Sequence, residues 1–252
     1  MAVLLCVEQT NCPPIITIMN APTVEQPTPV SPKAIAPVWH TALFLLAVSG
    51  IGAWGAYRHG LPAFGSSRAT GYLFTIAWEW LLFVLAAWGI RLGGSSIQSV
   101  IGGRWSTARQ FRRDLGIGVL FLVGSNIVLA GLQAILRPGP NANIGRLLPR
   151  SAIEMTLWIF LSLSAGICEE FVFRGYLQQQ LNGWLKNATA AVVIQGIIFG
   201  AAHAYQGLKL VLTIVVLGSL IGWLAQWRKS TRPGMISHFL QDAIGGIVLG
   251  RH

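Results

Sequence analysis

The sequence predicts an all-α fold, a polytopic transmembrane helix bundle of about seven to eight spans. Three observations predict it. Hydrophobic residues make up 53% of the 252 residues and charged residues only 10%, where a soluble domain carries about 25% charged residues. Apolar stretches of about 20 residues recur, the length that carries a helix across a bilayer core. None of them alternates with the period of two that a membrane barrel strand shows. In hydrocarbon every backbone polar group must be paired internally, so such stretches form helices.

The elements follow in chain order. Residues 1–37 hold Pro13, Pro14, Pro22, Pro27, Pro29, Pro32 and Pro37 and show no sustained periodicity. They read as a disordered or extended N-terminal tail. No basic region precedes a long apolar core there, so the tail lacks the pattern of a signal peptide. Met19 is an alternative start, which would place residues 1–18 outside the natural protein. Residues 38–252 form the integral membrane domain, with apolar segments at 39–57, 71–91, 114–136, 153–181, 187–206, 208–227 and 233–250. The fourth exceeds a single span and ends in Gln178-Gln179-Gln180, so its last turns project past the hydrocarbon. Helix breakers separate the segments: Pro62 and Gly65, Gly93-Gly94, Pro138-Gly139-Pro140, Asn182-Gly183 and Pro233-Gly234. No internal repeat supports an inverted-repeat transporter.

The net charge of +10 does not point to nucleic acid, because the basic residues are spread through the connections rather than along one face. Such residues set orientation in a membrane. With a cytoplasmic N-terminus, eleven lie inside: Lys33, Arg91, Arg104, Arg109, Arg112, Arg113, Arg174, Lys186, Arg228, Lys229 and Arg232. Seven lie outside: Arg58, Arg68, Arg137, Arg146, Arg150, Lys209 and Arg251. The expectation is an integral protein of a bacterial cytoplasmic membrane with its N-terminus in the cytoplasm. Cys6, Cys12 and Cys168 form no metal or disulfide framework by spacing, and Cys168 reads as a small buried filler.

The eight acidic residues separate by position. Glu8 and Glu25 fall in the tail. Asp114 sits where the third segment begins, as a helix cap would. Glu154 sits at the start of the fourth, where the helix dipole favours a carboxylate. Glu79, between Trp78 and Trp80, reads as an interfacial or structural charge. Glu169, Glu170 and Asp242 lie inside apolar segments, as do His203 and His238. An ionised group at bilayer depth costs on the order of 3 kcal/mol, so these positions point to function.

Spacing sharpens that reading. Glu170 and Arg174 are four apart on one helix face and suit an ion pair, which turns Glu169 about 100° away and leaves it free for chemistry. Phe199 and His203 share a face, with Gly200, Ala201 and Ala202 small enough for another helix to approach. His238 and Asp242 share a face at the spacing that lets two side chains reach one metal, water or oxyanion. In an antiparallel hairpin turning near Asn182 to Asn187, Glu169, Glu170 and His203 come level to within about a turn. His238 and Asp242 enter from the same side, at moderate depth in the cytoplasmic half. Taken singly, each has a structural reading: a satisfied core histidine, a structural Glu–Arg pair, an aspartate holding a ring.

The run Glu169-Glu170-x-x-x-Arg174, then Phe199-x-x-x-His203, then His238-x-x-x-Asp242 resembles the signature of the CPBP family. That family comprises type II CAAX prenyl endopeptidases, Ras-converting-enzyme-like proteases and Abi proteins. The resemblance covers about residues 150–250, and Asp242 stands where Asn is common. It implies an intramembrane endopeptidase cutting near the membrane surface, in which Glu169 and His203 activate a water. His238 and Asp242 would then serve as oxyanion or metal partners, with Glu170, Arg174 and Phe199 structural or orienting. It also implies either Zn2+, or another divalent metal, on Glu169, His203, His238 and Asp242, or a metal-free glutamate peptidase. The expected partners are a peptide or protein substrate, lipidated or membrane-anchored, and the lipid bilayer, with no nucleic acid. The alternative is a non-catalytic scaffold or immunity-type protein that keeps the fold. A rhomboid-like serine protease lacks its Gly-x-Ser-Gly arrangement here.

Overall fold

Five helices open on a Ser, Thr or Asn whose side chain accepts a backbone N–H three residues on: Ser67, Ser96, Thr107, Ser151 and Asn187. Four helices close on a residue in the left-handed region, Gly102, Arg137, Lys186 and Lys229. These local signals divide the chain in a computed structural model that describes residues 32–57, 67–138 and 142–250. The order is α1 (Val38–Tyr57), α2 (Arg68–Leu92), α3 (Ile97–Ile101), α4 (Ala108–Leu136), α5 (Ala142–Leu147) and α6 (Ala152–Glu169). A π-helical stretch (Glu170–Leu177), α7 (Gln178–Leu185), α8 (Ala188–Ala202), a 3-10 turn (Ala204–Gln206), α9 (Leu208–Arg228) and α10 (Arg232–Leu249) follow.

The chain is an all-α integral membrane protein. Among the described residues four helical runs are long and apolar enough to cross a membrane: Arg68–Leu92, Ala108–Leu136, Ala152–Leu185 and Leu208–Arg228. Val38–Trp54 and Ala188–Ala202 are shorter apolar helices. The helix α10, expected as a seventh span, carries Arg232, His238, Gln241 and Asp242, which dilute its apolar character. Large apolar side chains face outward along α4, with Leu120, Ile127 and Ile135 all strongly exposed. That is the surface a helix presents to lipid.

Two expectations change. The third apolar segment starts one and a half turns early, at the Thr107 cap, so Asp114 is not a cap. It is buried inside α4 and bonded to Trp105 Nε1 at 2.9 Å. The proposed tail ends sooner than residue 37. Gln180 Oε1 accepts from the backbone N–H groups of Ile35 and Ala36, and Gln180 Nε2 donates to Ala36 carbonyl. The tail assignment for residues 1–31, with Met19, Cys6 and Cys12, lies outside the described residues.

The core is built where α1, α2 and the π-helical stretch meet α8. Phe44, Ile90, Phe171, Tyr176, Leu177 and Phe199 are fully buried there. Tyr176 hydroxyl satisfies two buried polar groups of α1, His40 Nδ1 at 2.8 Å and Thr41 Oγ1 at 2.9 Å. One end of the bundle gathers the starts of α4 and α10 with the connections on either side of α3. The other gathers Arg68, which donates to Arg146 carbonyl at 2.8 Å and pairs with Glu154, and Lys209, which donates to Arg137 carbonyl.

Helices α6 and α10 touch at glycine. A Cβ on Gly166 would lie 2.8 Å from Met235 carbonyl and 2.9 Å from Phe239 N, both rigid backbone. Replacing Gly166 by Leu is therefore expected to push α10 away and lower stability by about 1–3 kcal/mol. The apparent melting temperature of the detergent-solubilised protein reads this directly. Gly145→Leu is the control, because a Cβ there meets open space.

Candidate functional site

The long helix Ala152–Leu185 changes its winding at one point. The α-helical run ends at Glu169, and a π-helical stretch carries residues 170 to 177. π-Helical turns are rare and cluster at functional sites. Nothing in the sequence pattern announced this one. It begins at the adjacent carboxylates, and all of its eight residues are buried.

Glu170 is wholly buried, and its Oε1 accepts from Arg174 Nη1 at 2.9 Å. The expected i, i+4 pair is present. Arg174 Nη2 donates to Gly218 carbonyl at 3.0 Å, which ties the pair to α9. Its guanidinium also stacks over the Phe199 ring at 4.5 Å. The same Glu170 Oε1 accepts from His238 Nδ1 at 2.9 Å. A carboxylate on Nδ1 orients the ring and presents Nε2 to whatever lies beyond.

Beyond lie two further carboxylates. His238 Nε2 stands 3.8 Å from Glu169 Oε2 and 3.6 Å from Asp242 Oδ2. Glu169 thus faces a different direction from Glu170, as the 100° offset required. Its Oε2 is buried without a hydrogen-bond partner, as is Glu170 Oε2. Asp242 is placed by its own backbone too, since its carbonyl accepts from Trp158 Nε1 at 2.9 Å.

His203 terminates α8. Its Nδ1 donates to Phe199 carbonyl at 2.8 Å, which leaves Nε2 as an acceptor. The Phe199 ring lies 4.8 Å from the His203 ring and 6.1 Å from the His238 ring. Phe199 therefore spaces both histidines and Arg174 at once. His203 is an electrostatic neighbour of Asp242.

All four predicted residues, Glu169, His203, His238 and Asp242, line one cavity of about 520 Å3. Its walls are mostly apolar, and they continue past Tyr205 and Gln206 to Arg68 and Arg146. Glu79 lines it as well. This carboxyl is buried in α2, with Ser164 of α6 as a polar neighbour, and its Oε2 has no partner. Sequence reasoning assigned Glu79 a structural role. Its helix lies 90 residues before Glu169, and only the packing of α2 on α6 brings the two carboxyls into one space. Glu154, by contrast, stays at the helix start, where its Oε2 accepts from Arg150 N.

Among the described residues no group of three or more His, Cys, Asp or Glu side chains converges closely enough to hold an ion. Glu170 Oε1 already serves His238 and Arg174, and Nδ1 of both histidines is engaged.

Residues 151–244 match one family model, that of type II CAAX prenyl endopeptidase Rce1-like. No curated protein and no solved structure matches the chain.

Proposed function

We propose, for a chain whose residues 151–244 belong to the type II CAAX prenyl endopeptidase Rce1-like family, that it is an intramembrane endopeptidase with Glu169 as its general base. One observation carries the reading. His238 is fixed on Nδ1 by a buried Glu170 and turns Nε2 toward Glu169 and Asp242, in the cavity that His203 also lines.

The chemistry follows from those atoms. A water held between Glu169 and His203 Nε2 gives its proton to the Glu169 carboxylate as its oxygen attacks the peptide carbonyl carbon. The carbonyl π electrons move onto oxygen. His238, protonated among three carboxylates, donates from Nε2 to that oxyanion, and Asp242 holds the ring's charge. The intermediate collapses, the C–N bond breaks, and the proton on Glu169 passes to the leaving amine. The Glu170–Arg174 pair takes no part in bond changes and keeps His238 in place. The mostly apolar cavity suits a substrate that is lipidated or membrane-anchored.

The test is cleavage of membrane-anchored reporter peptides by the purified protein in liposomes. His203→Ala is expected to lower turnover by at least about 100-fold, the lower end of general-base effects. Protein stripped of metal is expected to keep its activity; loss that zinc alone restores would sink the metal-free reading. Cleavage untouched by His203→Ala would remove His203 from the mechanism, and no cleavage by the unaltered protein would return the chain to the scaffold or immunity-type alternative.

A further inference from the structure

A second cluster of buried charge lies at the opposite end of the bundle from Arg68 and Arg146, away from the cavity. Asp114 is 1% exposed. Its Oδ2 accepts from Trp105 Nε1 at 2.9 Å and lies 3.2 Å from Arg232 Nε. Its Oδ1 lies 3.4 Å from Arg113 Nη2 and 3.6 Å from Arg228 Nη2. One carboxylate is therefore shared by three guanidinium groups and an indole.

The arithmetic leaves a surplus. Three positive charges against one negative leave two uncompensated. Asp114 accepts hydrogen bonds from Trp105 and Arg113, and Arg232 Nε donates to Ser230 Oγ at 3.1 Å. Arg232 Nη1 and Arg228 Nε remain buried with no partner. Arg232 itself is more than nine-tenths buried, with its guanidinium 5.4 Å from the Trp105 ring. If these arginines served only to neutralise Asp114, one would suffice. Two spare charges with unused N–H donors call for a further anion.

The surroundings say which anion. The cluster joins the start of α4 to the end of α9, two helices of membrane-crossing length. Beside it, Trp227 is 69% exposed and touches the Arg228 guanidinium at 5.4 Å, and Phe111 is also exposed. A charged cluster next to outward apolar side chains fits a molecule with an anionic head and a hydrocarbon tail. Free phosphate would use only half of that surface. We infer that the Arg113, Arg228 and Arg232 cluster around Asp114 binds the phosphate of an anionic membrane phospholipid. Guanidinium groups bind phosphate oxygens by paired, charge-assisted bonds, and anionic headgroups collect at such juxtamembrane basic sites.

The experiment uses the full chain in a non-ionic detergent and counts bound lipid by native mass spectrometry. Phosphatidylglycerol, phosphatidylcholine and inorganic phosphate are titrated separately. Phosphatidylglycerol is expected to bind in preference to phosphatidylcholine, and Arg228→Gln to lose about fivefold of that preference, the worth of one basic side chain at an anionic lipid surface. Arg228 is partly exposed, so this variant keeps the fold. Asp114→Asn removes the competing carboxylate and is expected to bind phosphatidylglycerol more tightly. Equal retention of the two lipids would overturn the inference. So would an unchanged preference in Arg228→Gln, or inorganic phosphate displacing phosphatidylglycerol at equal concentration.

Discussion

Glu169→Gln is expected to abolish measurable proteolysis, a loss of about 10²–10⁴-fold in turnover, while leaving the fold intact. The amide keeps the size and shape of the side chain and removes the lone pair basicity that accepts a proton from water. The fold does not depend on the charge. Glu169 pairs with no arginine, and its Oε2 makes no hydrogen bond. His238 Nε2 lies 3.8 Å from its Oε2, too far for a strong bond. The measurement is cleavage of a reporter peptide beside a melting curve of the same preparation. Lost cleavage with an unchanged curve supports the base role. The inactive variant is also expected to retain substrate, so a partner co-purifying with Glu169→Gln but not with the active protein names the substrate. Full activity in this variant would refute the mechanism.

Glu170→Ala is expected to act in the opposite way, through stability. Arg174 is wholly buried, and removing its partner leaves a guanidinium with no counter-charge, held by Gly218 carbonyl and the Phe199 ring. Breaking a buried pair from one side costs about 3–5 kcal/mol. The apparent unfolding midpoint in detergent should fall accordingly. A paired replacement separates the two duties of Glu170. Glu170→Met with Arg174→Met removes both charges together and is expected to recover most of that stability, as apolar replacements of buried pairs commonly do. Cleavage should stay lost, because His238 Nδ1 no longer has the acceptor that orients its ring. Recovery of both stability and cleavage would show that the pair serves packing alone.

Much of this molecule was legible from one line of sequence. Residue types decide transfer free energies, so the low charge and the repeated apolar stretches dictated a helical membrane protein. The helix period decides which side chains share a face, so the Glu170–Arg174 pair and the His238–Asp242 approach were foreseeable from spacing of four. The break expected at Asn182-Gly183 falls later, because both residues continue α7 and the chain turns at Lys186, just before the Asn187 cap of α8. An ionisable residue in an apolar helix is expensive, and four of those singled out line one cavity.

Other features depended on neighbours that the sequence does not name. Asp114 looked like a cap because it opens an apolar run, but Thr107 takes that role and three arginines from two other helices and its own surround the aspartate. Glu79 looked structural because its neighbours in the chain are tryptophans; its neighbour in space is the wall of the Glu169 cavity. The π-helical winding at Glu170 is set by the packing of a fully buried segment, which no local propensity records. Sequence by itself determined the all-α membrane fold and the short list of residues too costly to be there without a purpose. Tertiary structure alone decided their partners: Glu170 on His238, Phe199 between both histidines, Arg228 and Arg232 on Asp114. The physical reason is range. Burial cost and helix period act within a few residues, whereas a hydrogen bond at 2.9 Å across 68 residues exists only once the helices have packed.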